Sequence, residues 1–571
     1  MTILVPVLLP LICAAGVLVF GKKYPLSNKF FTFIGAVGAL GAAVALFAQD
    51  FQMFYMNWCE GVLPFSLTAG TFEKTVVAAL CFFAFIILLY AAKSKIENEK
   101  WFYFSFLFTL SFACGAAMAD NLLLMLFFWE GLLVSLYIFI VSAGAQSTAF
   151  KAFIINAVGD IALLAGVVLT AAAAGSFEIS IIKTGPVQLT DSYGAWAFLL
   201  MCAGALAKAG AVPFHSWIPD AAEKTNSAFM AYLPAAFEKI LAVFLLGRIM
   251  TFFNLSGGSL GANIFICLAI PSIIVAVVML FKQKDLKGFI AYNIILQIGL
   301  LAFEQGASLG GAAELVSHGI YKAAALSSMF LCAGIIEAAA GSTALDKIGG
   351  SLKKMKFTAV CFIISCAVLC KVTLLDIIFS NTYAGLYSGN TVGIIFIALA
   401  HIFILAAFFK VIAALFKGNT QVKPVPVMLN FSAGVFAVLA LLFSAGWVFD
   451  ARNLFVLEHA HFNFNWVSGV GIAVILAAVA LHIKWPSPSF GDFTPPDFYQ
   501  AARTASLAVS TGLFKTDRFF DFIIDVMPTT VIKRFSKKGS AMHTGLSISY
   551  ILWALIGALV FAVLSLSGGW V

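Results

Sequence analysis

About sixteen stretches of ~17 to 25 mainly apolar residues occupy most of this chain, and no other feature restricts its fold so tightly. A helix rises 1.5 Å per residue, so some 20 residues cross a hydrocarbon core about 30 Å thick. Candidate spans run over 3–20, 31–48, 74–92, 101–119, 121–142, 152–175, 194–212, 228–250, 261–281, 288–304, 310–337, 357–380, 391–416, 428–449, 467–485 and 545–567, with 288–337 open to another division. In lipid every backbone donor and acceptor must be satisfied internally, so the expected fold class is all-α: a polytopic membrane protein. Of 571 residues, 62% are hydrophobic and 11% charged, against roughly 25% charged in soluble chains. That excludes a soluble enzyme, a nucleic-acid binder, a disordered chain and a secreted disulfide scaffold.

The run from Ile3 to Phe20 lacks a basic start and a small-residue cleavage site, so it reads as the first span rather than a signal peptide. Basic residues near span ends resist translocation, and here they follow odd-numbered spans: Lys22, Lys23 and Lys29; Lys93, Lys95 and Lys100; Lys282, Lys284 and Lys287; Lys347, Lys353, Lys354 and Lys356. Lys183 and Arg452 are the exceptions. The alternation predicts both termini on the external face of a cell (inner) membrane, and it accounts for a net charge of +8 without a nucleic-acid partner. Ten cysteines lie mostly inside apolar runs, none in a CxxC pair, and read as small buried hydrophobes. No metal or cofactor is expected in this chain.

About sixty residues separate the last two spans. They open with Pro486, Pro488, Pro495 and Pro496, then place Phe498, Ala502, Ala505, Val509, Leu513 and Phe520 near helical spacing among Arg503, Lys515, Asp517 and Arg518. This pattern predicts an amphipathic helix along the membrane surface, with a plain loop as the alternative.

A charge at the bilayer centre costs several kcal/mol, so each one requires a partner, a water-filled cavity or a neutral form. Inside the predicted spans lie Glu130, Asp160, Lys208, Glu238, Lys239, Glu314, His318, Lys322, Lys371, Asp376, His401 and Lys410. Glu314, His318 and Lys322 are spaced by fours, which puts them on one helix face as a ladder for a proton, or as a static buried ion pair with a satisfied histidine. Lys208 precedes Gly210 and Pro213, so its helix should break just beyond it; a lysine snorkelling to headgroups is the alternative. Glu130, far from either end of its span, needs a cation, for which Lys208 is the candidate. Glu238 and Lys239 point about 100° apart and must address different neighbours. Lys371 and Asp376, five apart, pair only if the helix breaks between them. Glu60, Lys74, Asp450 and Glu458 read as solvated charges in external loops.

These residues resemble a known family. GALAKAGAVPFHSWIPDA (204–221) is similar to the helix-7 signature of the antiporter-like subunits of respiratory complex I, membrane-bound hydrogenases and multisubunit cation/proton antiporters. FFWEGLLVSLYIFI (127–140) resembles the family's helix-5 glutamate segment, KAFIINAVGDIALL (151–164) the helix-6 segment of the distal complex I subunit, and KQKDLKGFIAYNIILQIG (282–299) with ELVSHGIYKAAAL (314–326) helices 10 and 11. The resemblance implies two inverted five-helix repeats with broken helices, over 101–250 and 261–416. N-terminal helices (1–100) would precede them, and C-terminal helices (428–485), a lateral segment (486–544) and a final span (545–571) would follow. It also implies that Glu130, Lys208, Asp160, Lys239, His318 and Lys322 match the family's proton-path residues. The sequence departs at EKTNSAFMAYLPAAFEKILAVFLLGR (223–248), a form associated with energy-converting hydrogenases. It departs again at the proline-free CAVLCKVTLLDIIFS (366–380), which puts the second outlet in doubt.

The expectation is therefore a proton- or Na+-translocating subunit of an Ech-type energy-converting [NiFe] hydrogenase or related complex-I-like assembly. Iron–sulfur clusters and the NiFe centre would sit in partner membrane and peripheral subunits. Ion movement would run from Glu130 and Lys208 through Lys239 and the His318/Lys322 ladder to Lys371 and Asp376, with Glu238, Glu314 and Lys410 as further members. A stand-alone cation/proton antiporter and the distal subunit of complex I are the alternatives.

Overall fold

Each expected span overlaps a helix. Helices α1 (Val5–Phe20), α2 (Pro25–Ala45), α3 (Thr71–Ala91), α4 (Glu99–Met118), α5 (Leu122–Ser142) and α6 (Gln146–Ala174) lead to α7 (Ile179–Thr184), α8 (Ser192–Lys208), α9 (Trp217–Lys224), α10 (Ser227–Tyr232) and α11 (Glu238–Phe252). Then come α12 (Ser259–Lys282), α13 (Leu286–Ser308), α14 (Ala312–Ala340), α15 (Ser351–Lys354), α16 (Lys356–Leu369), α17 (Thr391–Phe416), α18 (Val427–Ser444) and α19 (Trp466–Lys484), and finally α20 (Phe498–Asp521), α21 (Met527–Ala541) and α22 (Ser547–Leu566). This computed structural model describes residues 2–571 except 49, 60–62, 191, 256–258, 309–310, 372–390, 445–446, 449–455, 458–465, 485–492, 496, 542–546 and 567–571. Among the described residues, 12 helices are long and apolar enough to cross a membrane, and shorter apolar helices cover Lys356–Leu369, Ala473–Lys484 and Ile551–Val560.

The connector after α2, expected as a loop, forms an antiparallel hairpin of β1 (Gln52–Cys59) and β2 (Leu63–Ala69). Phe54 meets Phe65 edge-on across it. Lys74, expected to be solvated in a loop, is instead buried in the first turn of α3, where its Nζ donates to the Asp50 carbonyl at 2.8 Å. The helix begins earlier than its apolar run, because Gly70 supplies an extended cap and Glu73 stands in the first turn, where an acid suits the dipole. Glu60, Asp450 and Glu458 lie outside the described residues.

Two interruptions and one helix end shape the interior of the described residues. α8 ends at Lys208, and Gly210 follows with φ of 81°, in the left-handed region where a side chain would be strained. The Ala211 amide returns to the Leu206 carbonyl at 2.9 Å, whereas the Val212 amide leaves the helix and donates to Ser272 Oγ at 2.9 Å. The chain resumes as α9. α10 passes through a π-helical turn, Leu233–Phe237, containing Pro234, which delivers Glu238 and Lys239 to the head of α11. Such turns cost regular hydrogen bonding and concentrate at functional sites. α16 stops at Leu369; Lys371 adopts φ of 50°, and the Gln297 amide reaches from α13 to the freed Leu369 carbonyl at 3.2 Å.

The chain separates into two compact units, Met1–Tyr499 and Gln500–Val571. In the first, Lys151 Nζ at the start of α6 meets Asp220 at 2.9 Å and Asp497 at 2.8 Å. Ser216 Oγ donates to Asp497 at 2.8 Å, and Asp497 in turn accepts the Tyr499 amide at 3.1 Å, capping the start of α20. In the second unit, α20 sets Leu507, Val509, Leu513 and Phe514 among Arg503, Lys515 and Arg518, and leaves these apolar residues exposed. That is the expected amphipathic helix.

Candidate functional site

Close packing of α6 on α8 positions the first charged pair. A Cβ on Gly159 would stand 2.5 Å from Ala207 Cβ, and one on Gly204 would stand 2.6 Å from Leu163 Cβ. Small residues at these positions let the two backbones approach, as is usual where helices meet in lipid. Asp160 and Lys208, the next residues along, then meet with Lys208 Nζ 3.2 Å from Asp160 Oδ2, both almost wholly buried. The other oxygen, Oδ1, accepts the Trp129 indole N–H at 2.8 Å, and Lys208 Nζ lies 5.5 Å from the centre of the Trp129 ring.

The hydrogen-bonded partner of Lys208 is therefore Asp160, and Glu130 acts on Lys208 and Asp160 through its charge alone. Glu130 follows Trp129 on α5 and turns outward, exposed on the face that carries Phe127, Val134 and Tyr137. One helical step of about 100° separates the inward indole from the outward carboxylate.

At the head of α11, Glu238 and Lys239 are both buried and address opposite halves of the bundle: Glu238 interacts electrostatically with Lys208 and Asp160, and Lys239 with Lys322. Glu238 Oε1 and Lys239 Nζ have no hydrogen-bond partner among the described residues. A buried ammonium or carboxylate in that position calls for water.

The second cluster is built round a residue that the sequence does not single out. Glu304 on α13 lies 3.3 Å from Lys322 Nζ, 3.3 Å from Lys371 Nζ and 3.5 Å from His318 Nδ1. Two lysines and a histidine thus share one buried carboxylate. Glu304 is the last residue of an expected span, a boundary position where a charge needs no explanation. The available signal is periodic: Asn293, Gln297 and Glu304, four and seven apart, make one polar stripe down α13, and all three are buried.

Glu314 is not the acid of this ladder; it is exposed in the first turn of α14. His318 and Lys322 share the expected face, but their carboxylate comes from α13. Lys371 is brought in just past the end of α16 at Leu369, and residues 372–380 of that segment lie outside the described residues. Asp376 lies outside the described residues. His401, buried on α17, interacts electrostatically with Lys371, Glu304 and Lys322, and its Nδ1 is 3.0 Å from the Ile397 carbonyl. Lys410 stands apart from the cluster, seated on the Phe281 carbonyl at the end of α12.

A further charged group is legible only in part from sequence. Arg248, near the end of α11 and almost wholly buried, donates to the Ala117 and Ala119 carbonyls at 2.8 Å and meets Glu73 at 3.2 Å. It caps the end of α4, and Lys183 Nζ stands 3.9 Å from the same Glu73 oxygen. Burial and the neighbouring Arg248 charge push the Lys183 ammonium below the usual lysine range.

Comparison with known proteins bears on the family and the fold. The family described as NADH:quinone oxidoreductase/Mrp antiporter, TM, matches residues 119–409. One of the Na(+)/H(+) antiporter subunits of Bacillus subtilis (strain 168) is 25% identical over 473 residues, covering 78% of this chain and 94% of that protein. A longer Na(+)/H(+) antiporter subunit from Staphylococcus haemolyticus (strain JCSC1435) is 26% identical over 400 residues, 63% of this chain and only 49% of that relative. Among solved structures, a chain of the Mrp complex from Dietzia sp. DQ12-45-1b superposes with a TM-score of 0.71 at 16% identity, covering 100% of this chain and 63% of its own. A chain of the archaeal membrane-bound sulfane sulfur reductase gives 0.68 at 19% identity, with 84% and 98% covered. A chain of respiratory complex I from Thermus thermophilus gives 0.62 at 18%, with 78% and 97% covered. These likenesses show the fold: that of antiporter-like membrane subunits.

Proposed function

The chain belongs to the NADH:quinone oxidoreductase/Mrp antiporter membrane family, and from that premise we propose that it carries protons, or Na+, along the charged groups buried at mid-bundle within a larger membrane complex. The observation that carries this reading is the succession Asp160/Lys208, Glu238, Lys239, Lys322/Glu304/Lys371 with His318, which passes the end of α8, the π-helical turn before α11 and the end of α16. A static fold has little use for so many buried charges, each costing several kcal/mol unless compensated. Alternating pairings supply the work: when Lys208 and Asp160 separate, Glu238 and then Lys239 experience a changed field, and the Glu304 cluster redistributes its single negative charge among three bases. Glu130, outward on α5, would meet a cation of a neighbouring subunit.

The drive would come from redox chemistry in partner subunits bearing iron–sulfur clusters and a NiFe centre, as in an Ech-type energy-converting hydrogenase; the 223–248 sequence supports that branch. The membrane would be the cell membrane, with both termini external on the loop charges. Lys208→Ala in the intact complex tests the scheme. Electron transfer should persist while ion translocation into membrane vesicles falls to background; undiminished translocation rejects it. A second reading, in which the chain works within an Mrp-type cation/proton antiporter, is favoured by the relatives that share the chain's length. Co-purification of a redox module separates the two.

A further inference from the structure

Trp129 touches both members of the first ion pair, and its chemistry differs from theirs. The indole N–H only donates and carries no charge, whereas Asp160 and Lys208 are ionisable side chains. Asp160 is held at both oxygens, Oδ1 by the Trp129 indole at 2.8 Å and Oδ2 by Lys208 at 3.2 Å. The same indole turns its ring towards Lys208 Nζ, 5.5 Å from the ring centre, a distance at which an aromatic face attracts an ammonium. Trp129 is 1% exposed, so neither contact competes with bulk water.

We propose that Trp129 is a positioning residue for ion transfer: its N–H fixes the Asp160 carboxylate in place when Lys208 leaves, and its ring offers the departing ammonium a second seat. The inference rests on the translocation reading and adds a component to it. A carboxylate held by one lysine alone would swing after that lysine or take a proton whenever the pair opened. A fixed neutral donor on the second oxygen prevents both, since a hydrogen bond to the charged form favours that form. The ring lowers the cost of opening, because the ammonium exchanges a carboxylate for a π face and does not pass into apolar surroundings.

Two substitutions separate the roles. Trp129→Phe keeps a ring and removes the donor; Trp129→Gln keeps a donor and removes the ring. The complex is purified whole, and ion translocation is measured against pH in proteoliposomes at constant electron-transfer rate. In Trp129→Phe the acid limb of the profile should move to higher pH by about one unit, the size expected for loss of one hydrogen bond to a charged group. In Trp129→Gln the limb should stay within a few tenths of a unit while the maximal rate falls. If both variants merely lower the yield or rate with profiles superposable on wild type, or if Trp129→Gln shifts the limb as far as Trp129→Phe, the proposal is overturned. Where Trp129→Phe does not accumulate, Trp129→Gln decides alone: an acid limb moved by about one unit, or an unreduced maximal rate, overturns the proposal. Lys208→Ala, run in parallel, isolates the parent reading: translocation surviving without Lys208 defeats that reading, whereas translocation lost there with unshifted Trp129 profiles defeats this inference alone.

Discussion

Asp160 and Lys208 face each other at 3.2 Å because the residues just before them, Gly159 and Ala207, let α6 and α8 come together. Backbone proximity, set by small side chains, thus decides an electrostatic contact between residues 48 apart in the chain. Lys151 near the start of α6 and Ser216 just before α9 together bind Asp497.

Gly159→Val should therefore injure ion transfer without touching a charge. A Cβ already falls 2.5 Å from Ala207 Cβ, so the helices must separate. Overpacking of this kind costs about 1–3 kcal/mol. Thermal unfolding in detergent should show the loss, together with reduced translocation; a variant with native midpoint and native translocation would mean that the close approach does not set the pair.

Asp160→Asn leaves the Lys208 ammonium buried without its counter-ion, and removing one partner of a buried pair costs roughly 3–5 kcal/mol. Adding Lys208→Met to that variant should recover most of the stability and none of the transport. Equal midpoints for the single and double variants would contradict a pair that is charged at rest.

Among the acids of the second half, Glu304→Gln should be far more damaging than Glu314→Gln. Glu304 neutralises two buried lysines and orients His318, whereas Glu314 is exposed. Translocation by the two variants, normalised to the amount of complex in the membrane, measures the difference. Comparable losses would return Glu314 to the ladder.

Asp120 supplies a pH signature outside the spans. Burial raises its carboxyl above the usual carboxylate range, against weaker opposing effects from Ser180, Arg248 and Lys183. A raised value in the fold means that its contribution to stability is fully present below the unfolded value of about 3.9 and is lost as pH rises through the folded one. Asp120→Asn, held neutral, should gain on wild type as pH goes from about 4 to 7. Unfolding midpoints across that interval test this, and a constant difference between the two proteins would show that Asp120 titrates alike folded and unfolded.

Legibility differs by residue, for reasons that can be named. Lys208 is marked by Gly210 two positions on, since a left-handed glycine after a lysine announces a helix end. Glu238 and Lys239 are marked by adjacency, which forbids a common face. Glu304 is hidden by its place at the edge of an apolar run, and Glu130 invites the wrong partner because a central depth says nothing about direction round the helix. α16 ends just before Lys371 without a proline, with Lys371 at positive φ and Gln297 taking the Leu369 carbonyl.

By itself the sequence determined the solvent, the helices and which charges lie at lipid depth, because hydropathy acts over a single segment and needs no knowledge of neighbours. Tertiary structure decided which charge answers which. A helix of 3.6 residues per turn offers every side chain a direction, and only the packing of α5, α6 and α8, or of α13, α14 and the end of α16, turns those directions into contacts of about 3 Å.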